Sequence, residues 1–272
     1  MDRYAVFGNP IGQSKSPVIH RMFAQQLAQV IRYDAIEPAR DEFQASIADF
    51  FANGGLGANV TAPFKLEAFN LASELTQRAS LAGAVNTLKC LRDGKILGDN
   101  TDGQGLLEDL CRQFGSLSGL NILLLGAGGA ARGVIAPLLS QDVAAICIAN
   151  RTEQKAQALA QQFQPLGNVL GCGLKVLPRS NFDLIINSTS SSMTGDVPDI
   201  KLSALGTLRF AYDMFYQDQP TSFMQWISQH NTKIQLSDGL GMLVGQAAES
   251  FYVWRGVRPN IMPVIKKLRS KL

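Results

Sequence analysis

The sequence predicts an α/β protein made of two α/β domains, the second built on a doubly wound parallel sheet. Segments with strand and helix patterns alternate along most of the 272 residues, as a sheet with crossover helices requires. In addition, an apolar run at residues 122–125 leads directly into a glycine-rich turn and then into a helical pattern. Hydrophobic residues make up 46% of the chain, which is enough for a substantial core.

The N-terminal third begins with a strand and an amphipathic helix. Residues 4–7 form an apolar run that ends at a turn containing Gly8. Ser16 is predicted to be the N-cap of the next helix, with Pro17 at the first helical position, where a missing N–H is harmless. Apolar residues then recur every four positions and give this helix one apolar face; they are Ile19, Phe23 and Leu27.

Further short elements complete the N-terminal third. Apolar residues at helical spacing predict a second helix over residues 43–51, which two glycines terminate. Residues 58–61 and 84–88 have strand patterns. The Asp93-Gly94 pair after the second of these predicts a hairpin with a strand over residues 95–98.

A second unit is expected to begin near Asn100 with a helix up to residue 114. The alternating pattern then predicts strands at residues 122–125, 143–149, 182–187 and 210–215. A helix is expected after Gly241 and a final one after Pro259. Glycine and proline interrupt residues 164–180, and we assign no element there.

Charge and cysteine content indicate which partners, metals and cellular location to expect. The net charge of +3 is small and dispersed, so we expect neither a nucleic-acid nor a membrane partner. The four cysteines form no C-x-x-C pair, which favours reduced thiols over a disulfide framework or a zinc site, and we expect no metal. Without a signal-peptide pattern or a long apolar span, we expect a cytoplasmic location. No apolar stripe demands a partner, so we expect a monomer.

The glycine turn has the properties of a dinucleotide-binding site. Gly126 permits a tight turn, and Gly128 lets the backbone approach a pyrophosphate without an intervening side chain. Ala131 is small enough for the helix to pack closely on the strand. The first N–H groups of that helix are unpaired and lie at the positive end of its dipole, so they suit an anion.

The end of the next strand indicates which dinucleotide is bound. An NAD site usually has a carboxylate there, which accepts the ribose 2′-OH. Here the strand is followed by Asn150, Arg151 and Thr152, and a basic residue suits the 2′-phosphate of NADP through a planar, charge-assisted contact. We therefore predict NADP as the cofactor and Arg151 as the partner of its 2′-phosphate, with Thr152 and Lys155 assisting.

A set of motifs in fixed order covers nearly the whole chain. They are GNPI at residues 8–11, SKSP at 14–17, NVTAPFK at 59–65, GAVNT at 83–87, GDNTDG at 98–103, GAGGAAR at 126–132, NRT at 150–152, YDMFY at 212–216 and DGLGMLV at 238–244. With these motifs the chain resembles the shikimate dehydrogenase family of the bacterial single-function type. Their order and spacing are far more specific than any one motif alone.

The resemblance implies the reversible reduction of 3-dehydroshikimate to shikimate by NADPH, a step of aromatic amino acid biosynthesis. It implies an N-terminal substrate domain, placed at residues 1–101 and 240–272, and a Rossmann NADP-binding domain at residues 102–239. The active site is expected in the cleft between the two domains. The resemblance makes Lys65 and Asp102 the catalytic pair that handles the hydroxyl proton. From the residues alone, a solvated lysine and a helix-capping aspartate remain the alternative.

The resemblance also implies the groups that bind the substrate. Ser14 and Ser16 would hold its carboxylate, which agrees with the predicted position of Ser16, because helix N-termini attract anions. The ring hydroxyls need donors and acceptors together. These would come, with Tyr216 as a further substrate contact, from Thr61, Asn86, Asp102 and Gln246. We assign Asn59 to the backbone of its own turn and His20 to a structural role.

On the cofactor side, the resemblance implies three groups of residues. The glycine turn contributes Gly126, Ala127, Gly128, Gly129 and Ala130, the following strand end contributes Asn150, Arg151, Thr152 and Lys155, and the nicotinamide-side wall contributes Thr189, Ser190, Met214 and Gly239. Ser192 departs from the pattern, because the family often has glycine there.

Three other functions remain open at this point. A quinate/shikimate dehydrogenase with broader cofactor use is the rival within the same enzyme class. A non-catalytic regulator that binds NADP or a metabolite on the same fold is a rival from another class. A folate-type dehydrogenase of similar two-domain plan is a third, for which the serine pair and Asn86 have no evident role.

Overall fold

The computed structural model describes residues 1–178, 181–201 and 205–270, which form two compact units. The first unit comprises Met1–Gly105 and Val244–Ser270, and the second comprises Leu106–Leu243. Each unit contains its own six-stranded sheet, so the prediction of two α/β domains is confirmed. None of the helices in the described ranges is both long enough and apolar enough to cross a membrane.

The sheet of the first unit is mixed. Its strands lie in the order β2-β1-β3-β5-β6-β4, where β1 is parallel to β2 and β3, and β5 is antiparallel to β3 and β6. The predicted hairpin joins β5 to β6, and Gly94 in its turn has a φ of +85°, which glycine adopts without strain. The strands are β1 (Asp2–Phe7), β2 (Ile31–Ile36), β3 (Gly55–Val60), β4 (Glu74–Leu75), β5 (Thr87–Cys90) and β6 (Ile96–Asp99).

Helices cover this sheet and bury a core rich in phenylalanine. Phe43 stacks on Phe64 with ring centroids 4.6 Å apart, and Phe7 packs edge-on against Phe50. These rings are fully or almost fully buried, which gives the strand end at Val60 a rigid base. The helices that begin in this unit are α1 (Ser16–Gln26), α2 (Phe43–Ala52), α3 (Lys65–Leu71), α4 (Gln77–Ala82), α5 (Asp102–Phe114) and α11 (Ile261–Arg269).

One cap prediction in the first unit was wrong. Ser16 is the first residue of α1, and the N-cap is Lys15. The N–H groups of Val18 and Ile19, which a Ser16 cap would have bound, both donate to the Lys15 carbonyl oxygen, and the Ser16 N–H donates to Ser14 Oγ at 3.3 Å.

The second unit has an entirely parallel sheet in the order β12-β11-β10-β7-β8-β9, which confirms the doubly wound prediction. Residues 122–125 are fully buried at its centre, as an apolar run in a parallel sheet requires. The strands are β7 (Asn121–Leu125), β8 (Ala145–Asn150), β9 (Val169–Gly173), β10 (Leu184–Asn187), β11 (Phe210–Asp213) and β12 (Gln235–Ser237).

The helices of the second unit alternate with these strands. They are α6 (Gly129–Leu139), α7 (Glu153–Phe163), α8 (Ser191–Thr194), α9 (Ser222–His230) and α10 (Leu240–Arg255), the last of which continues into the first unit. Strand β9 lies in the stretch where we assigned no element. Its Gly171 packs against helix α7 so closely that an added Cβ would lie 2.4 Å from the Ala156 carbonyl oxygen. Gly171, one of the glycines that made this strand hard to recognise in the sequence, is therefore required by its packing.

Candidate active site

Lys65 and Asp102, the predicted catalytic pair, are in direct contact in the first unit. Lys65 Nζ lies 2.5 Å from Asp102 Oδ2. Strand β3 and the turn through Pro63 deliver Lys65 as the first residue of α3, and Asp102 is the first residue of α5. The lysine side chain is 30% exposed and the aspartate side chain 12%, so the pair is sheltered but reachable. An amine and a carboxylate held in this way can receive and return a proton.

Asn86 holds the other oxygen of the same carboxylate. Its Nδ2 donates to Asp102 Oδ1 at 2.8 Å and lies 3.4 Å from Gln246 Oε1. Four of the predicted site residues, Lys65, Asn86, Asp102 and Gln246, are thus brought together. They offer an amine, two amides and a carboxylate, which suits a ligand that carries several hydroxyl groups.

The predicted carboxylate-binding serines lie together at the start of α1. Ser14 is partly exposed, whereas Ser16 is buried. The Ser16 hydroxyl interacts with Tyr33: burial raises the pKa of Tyr33 well above its ordinary value, and the hydrogen bond from Ser16 opposes that rise. Thr61 lies at the end of β3, where its backbone N–H donates to Phe7 O.

Asn59 does not serve its own turn, so that assignment was wrong. The pairing of β3 with β5 sets Asn59 opposite Thr87, and its Nδ2 reaches across to Thr87 Oγ1, Asn86 O and Ser250 Oγ. On its other side, Asn59 Oδ1 accepts from Tyr33 and His20. The threonine and serine of this cluster were missed, although Thr87 stands next to Asn86 in the GAVNT motif.

The glycine turn of the second unit leaves its backbone open beside the N-terminus of α6. Gly126 has a φ of +105°, and an added Cβ would lie 2.7 Å from Ser188 Oγ, so glycine is required there. A Cβ on Gly128, the N-cap of α6, would instead project into open space beside the helix N-terminus. Such an exposed backbone next to free helix N–H groups fits a phosphate group.

An open cavity of about 700 Å³ extends from this turn along the carboxyl ends of the strands. It brings together seven of the predicted cofactor residues: Gly126, Ala127, Gly128, Asn150, Arg151, Thr189 and Ser190. No sequence pattern indicated its far wall, which is formed by Leu174 and by residues between Thr194 and Asp199. The Arg151 side chain is exposed at the cavity, where a guanidinium can receive a phosphate bidentately.

The other predicted cofactor residues lie close behind or beside these. Gly129 and Ala130 begin α6, Thr152 is the N-cap of α7, and Lys155 is in its first turn. Met214 and Gly239 are in contact, since an added Cβ on Gly239 would lie 2.1 Å from Met214 O. Tyr216 belongs to the same unit, where burial, with the negative charge of Asp238, raises the pKa of its hydroxyl.

Ser192, the departure from the common pattern, has a defined structural contact. Its hydroxyl donates to Asp213 Oδ2 at 2.5 Å. Burial raises the pKa of Asp213, although four groups donate hydrogen bonds to its carboxylate: Ser192, Thr221, Asn187 and the Phe215 N–H. The extra hydroxyl therefore ties helix α8 to the end of β11.

Comparison with known proteins agrees with these motifs. Residues 6–88 match the model of the shikimate dehydrogenase substrate binding domain, residues 109–194 match shikimate / quinate 5-dehydrogenase, and residues 239–269 match the shikimate 5′-dehydrogenase C-terminal domain. The shikimate dehydrogenase (NADP(+)) of Pseudoalteromonas atlantica is 56% identical over 272 residues, which is 100% of both chains. The chain belongs to the shikimate dehydrogenase family. The resemblance stated from the motifs is thereby confirmed.

Two solved structures of high similarity extend this result. An Ael1 enzyme from Pseudomonas putida is 43% identical, with a TM-score of 0.92 and 98% of each chain covered. The shikimate 5-dehydrogenase of Thermus thermophilus, solved in complex with NADP(H) and shikimate, is 28% identical, with a TM-score of 0.87 and 100% of each chain covered. The fold of this shikimate dehydrogenase family member is thus that of a relative solved with both cofactor and substrate.

Proposed function

We propose that this chain is an NADP-dependent shikimate dehydrogenase that reversibly reduces 3-dehydroshikimate to shikimate. The observation that carries the proposal is the contact between Lys65 Nζ and Asp102 Oδ2, in a chain whose relatives across its whole length are named shikimate dehydrogenase (NADP(+)). A silent regulator would have no use for an amine and a carboxylate held in a partly exposed position. The enzyme class is therefore oxidoreductase, acting on a secondary alcohol.

In the proposed reaction the side chains of the protein hold the substrate and move a proton. NADP, when bound, would supply the hydride exchange at the carbon that bears the substrate hydroxyl. Lys65 Nζ, held by Asp102, exchanges the proton of that hydroxyl. Asn86 fixes the second oxygen of the Asp102 carboxylate, so the carboxylate cannot rotate away from the lysine.

We assign shikimate to the first unit and NADP to the second. In the first unit the substrate groups would be Lys65 and Asp102 together with Ser14, Ser16, Thr61, Asn86 and Gln246. Tyr216 is proposed as a further substrate contact. The free N–H groups at the start of α6 would hold the pyrophosphate, and Arg151 the 2′-phosphate. The open space beside Gly128 supports this assignment, because a Cβ there would occupy the approach of a phosphate.

We further propose that the enzyme acts as a monomer in the cytoplasm, on small molecules and without nucleic acid. The four free cysteines suit a reducing compartment, and the small net charge of +3 offers little attraction for a polyanion. Light scattering of the purified protein tests the monomer, since a mass of twice 29.4 kDa would contradict it.

The direct test of the function is the appearance of NADPH when the purified protein meets shikimate and NADP. Lys65→Ala is expected to lower kcat by about 100-fold or more and to change the KM for shikimate little, because proton transfer matters mainly in the transition state. The matched control is Lys95→Ala, which removes a 54% exposed lysine from an ion pair with Glu74 in the same unit. Unchanged kcat in Lys65→Ala would remove this lysine from the chemistry.

Parallel assays separate the proposal from its rivals. Replacing shikimate by quinate, or NADP by NAD, tests the quinate/shikimate dehydrogenase that one matching family description includes. Comparable kcat/KM values for both acids or both cofactors would favour that broader enzyme. No turnover with any pair, in protein that still binds NADP, would favour the regulator.

A further inference from the structure

The first unit contains a buried polar cluster behind Asn86. It consists of Asn59, Thr87, Thr101 and Ser250, all buried, with Tyr33 and His20 at one end. Buried polar groups are retained when they are satisfied, and here nearly every donor and acceptor has a partner. Resting on the proposed function, we propose that Asn59 and Thr87 are positioning residues, which hold the Asn86 amide with its NH2 group toward Asp102.

The orientation of Asn59 is fixed by a group that can only accept. Its amide lies 3.3 Å from the backbone carbonyl oxygen of Asn86, so the atom facing that oxygen must be the donor Nδ2. Asn59 Oδ1 then faces Tyr33 Oη at 2.7 Å and His20 Nε2 at 3.1 Å, and both must donate to it. His20 is therefore protonated on Nε2, which agrees with an Nδ1 that has no hydrogen-bond partner among the described residues.

From Asn59 the hydrogen bonds lead to Asn86 through the Thr87 hydroxyl group, with the Ser250 hydroxyl beside it. Asn59 Nδ2 donates to Ser250 Oγ at 2.9 Å, and Ser250 Oγ lies 2.7 Å from Thr87 Oγ1. Thr87 Oγ1 donates to Asn86 Oδ1 at 2.8 Å. Ser250 Oγ in turn donates to the Gln246 backbone carbonyl oxygen at 2.9 Å. Asn59 Nδ2 also lies 3.3 Å from Thr87 Oγ1, so Thr87 can accept from the Asn59 amide and donate its own proton to Asn86. Such chains of hydrogen bonds polarise and strengthen one another in a buried site.

The Asn86 end of this chain of hydrogen bonds is fixed by a group that can only donate. The backbone N–H of Thr101 donates to Asn86 Oδ1 at 2.9 Å, on the same oxygen that receives the Thr87 hydroxyl. With two donors on Oδ1, the Asn86 NH2 group must point away from them, toward Asp102 Oδ1. If the Asn86 side-chain amide were rotated by half a turn, its oxygen would face the Asp102 carboxylate. The hydrogen bonds from Thr87 and from the Thr101 N–H would both be lost. The cluster thus fixes the Asp102 carboxylate in one orientation, in which Oδ1 accepts from Asn86 and Oδ2 accepts from Lys65.

The test compares two substitutions at Thr87. Thr87→Val keeps the shape of the side chain but removes its hydroxyl, whereas Thr87→Ser keeps the hydroxyl. We expect Thr87→Val to lower kcat/KM for shikimate about tenfold, as for one lost hydrogen bond, with the KM for NADP within about twofold. Thr87→Ser should restore kcat/KM to within about threefold of the wild type. Urea unfolding of both variants shows whether the valine protein is folded.

A second measurement does not depend on turnover. The side-chain amide protons of Asn86 are expected to change chemical shift in Thr87→Val and to keep it in Thr87→Ser. Wild-type turnover of shikimate alone decides the proposed function, and the comparison of the two variants decides the positioning role. A valine protein with wild-type kcat/KM and unshifted Asn86 resonances would overturn the proposal, as would a serine protein as impaired as the valine protein.

Discussion

His20 makes the stability of the first unit depend on pH in a direction that the structure fixes. Its ring is fully buried, stacked on Tyr33 with centroids 4.3 Å apart, and burial lowers its pKa from 6.5 to about 3. The unfolded chain therefore binds a proton between pH 6.5 and 3 that the folded chain does not. The contribution of His20 is complete above pH 6.5 and is lost as the pH falls toward 3.

The size of this effect follows from the shift in pKa. A difference of about 3.5 units corresponds to about 5 kcal/mol in total, of which about 2 kcal/mol is lost between about pH 7.5 and pH 5. Replacing His20 by phenylalanine keeps an aromatic ring in the stack and removes the titrating group. We expect His20→Phe to be less stable than the wild type at pH 7.5, because it no longer donates to Asn59, and to lose about 2 kcal/mol less on going to pH 5.

Tryptophan fluorescence provides a local assay for this unit. The ring centroids of Trp254 and His20 lie 5.2 Å apart, and the only other tryptophan of the chain is Trp226. In a Trp226→Phe background, urea unfolding followed by fluorescence therefore reports on the surroundings of His20. Unfolding curves at both pH values, for proteins with and without the His20 substitution, give the difference directly. An equal loss of stability in both proteins would refute the reasoning.

Three further predictions concern cofactor specificity and packing. Arg151→Ala should raise the KM for NADP by about 10–100-fold and leave the KM for NAD unchanged, as steady-state kinetics with both cofactors will show; equal changes for both would place the 2′-phosphate elsewhere. Ser192→Ala should lower the free energy of unfolding by about 1–3 kcal/mol in urea titrations, because the buried carboxylate of Asp213 loses a donor; an unchanged midpoint would contradict this. Gly57→Ala should destabilise the protein by about 1–3 kcal/mol, since the new Cβ would lie 2.4 Å from Trp254 Nε1; wild-type thermal stability would show that the ring moves freely.

The sequence predicted best those elements whose pattern is local. The apolar run before Gly126 and the Asp93-Gly94 turn each determine their structure through neighbouring residues, and both were found as predicted. Strand β9 was not predicted because it contains glycine, which normally weakens a strand, whereas Gly171 is there to let helix α7 approach. The cap of α1 was misplaced by one residue, since the helix begins one residue earlier, with the Lys15 carbonyl oxygen accepting from Val18 and Ile19.

The candidate site shows the same limit at the level of side chains. The motif residues Lys65, Asn86 and Asp102 could be named from the sequence, and the structure joins them by hydrogen bonds. What holds Asn86 could not be named, because the direction of a hydrogen bond is set by groups distant in the chain. Asn59 lies 28 residues before Thr87 in the chain, yet its Nδ2 donates to the Thr87 hydroxyl and leaves the Thr87 proton for Asn86.

Groups that can only donate or only accept, and that lie far away in the chain, therefore set the direction of these hydrogen bonds. For this reason chemically similar residues in the cluster are not interchangeable. A serine at position 87 can still accept from one side and donate to the other, whereas a valine can do neither. An aspartate at position 59 would present only acceptor oxygens to Ser250 and to the Asn86 carbonyl oxygen. The hydrogen bonds that Asn59 Nδ2 donates to these two groups would then be lost. The identity of each buried polar residue is therefore determined by the direction of its hydrogen bonds, and that direction ends at the carboxylate beside Lys65.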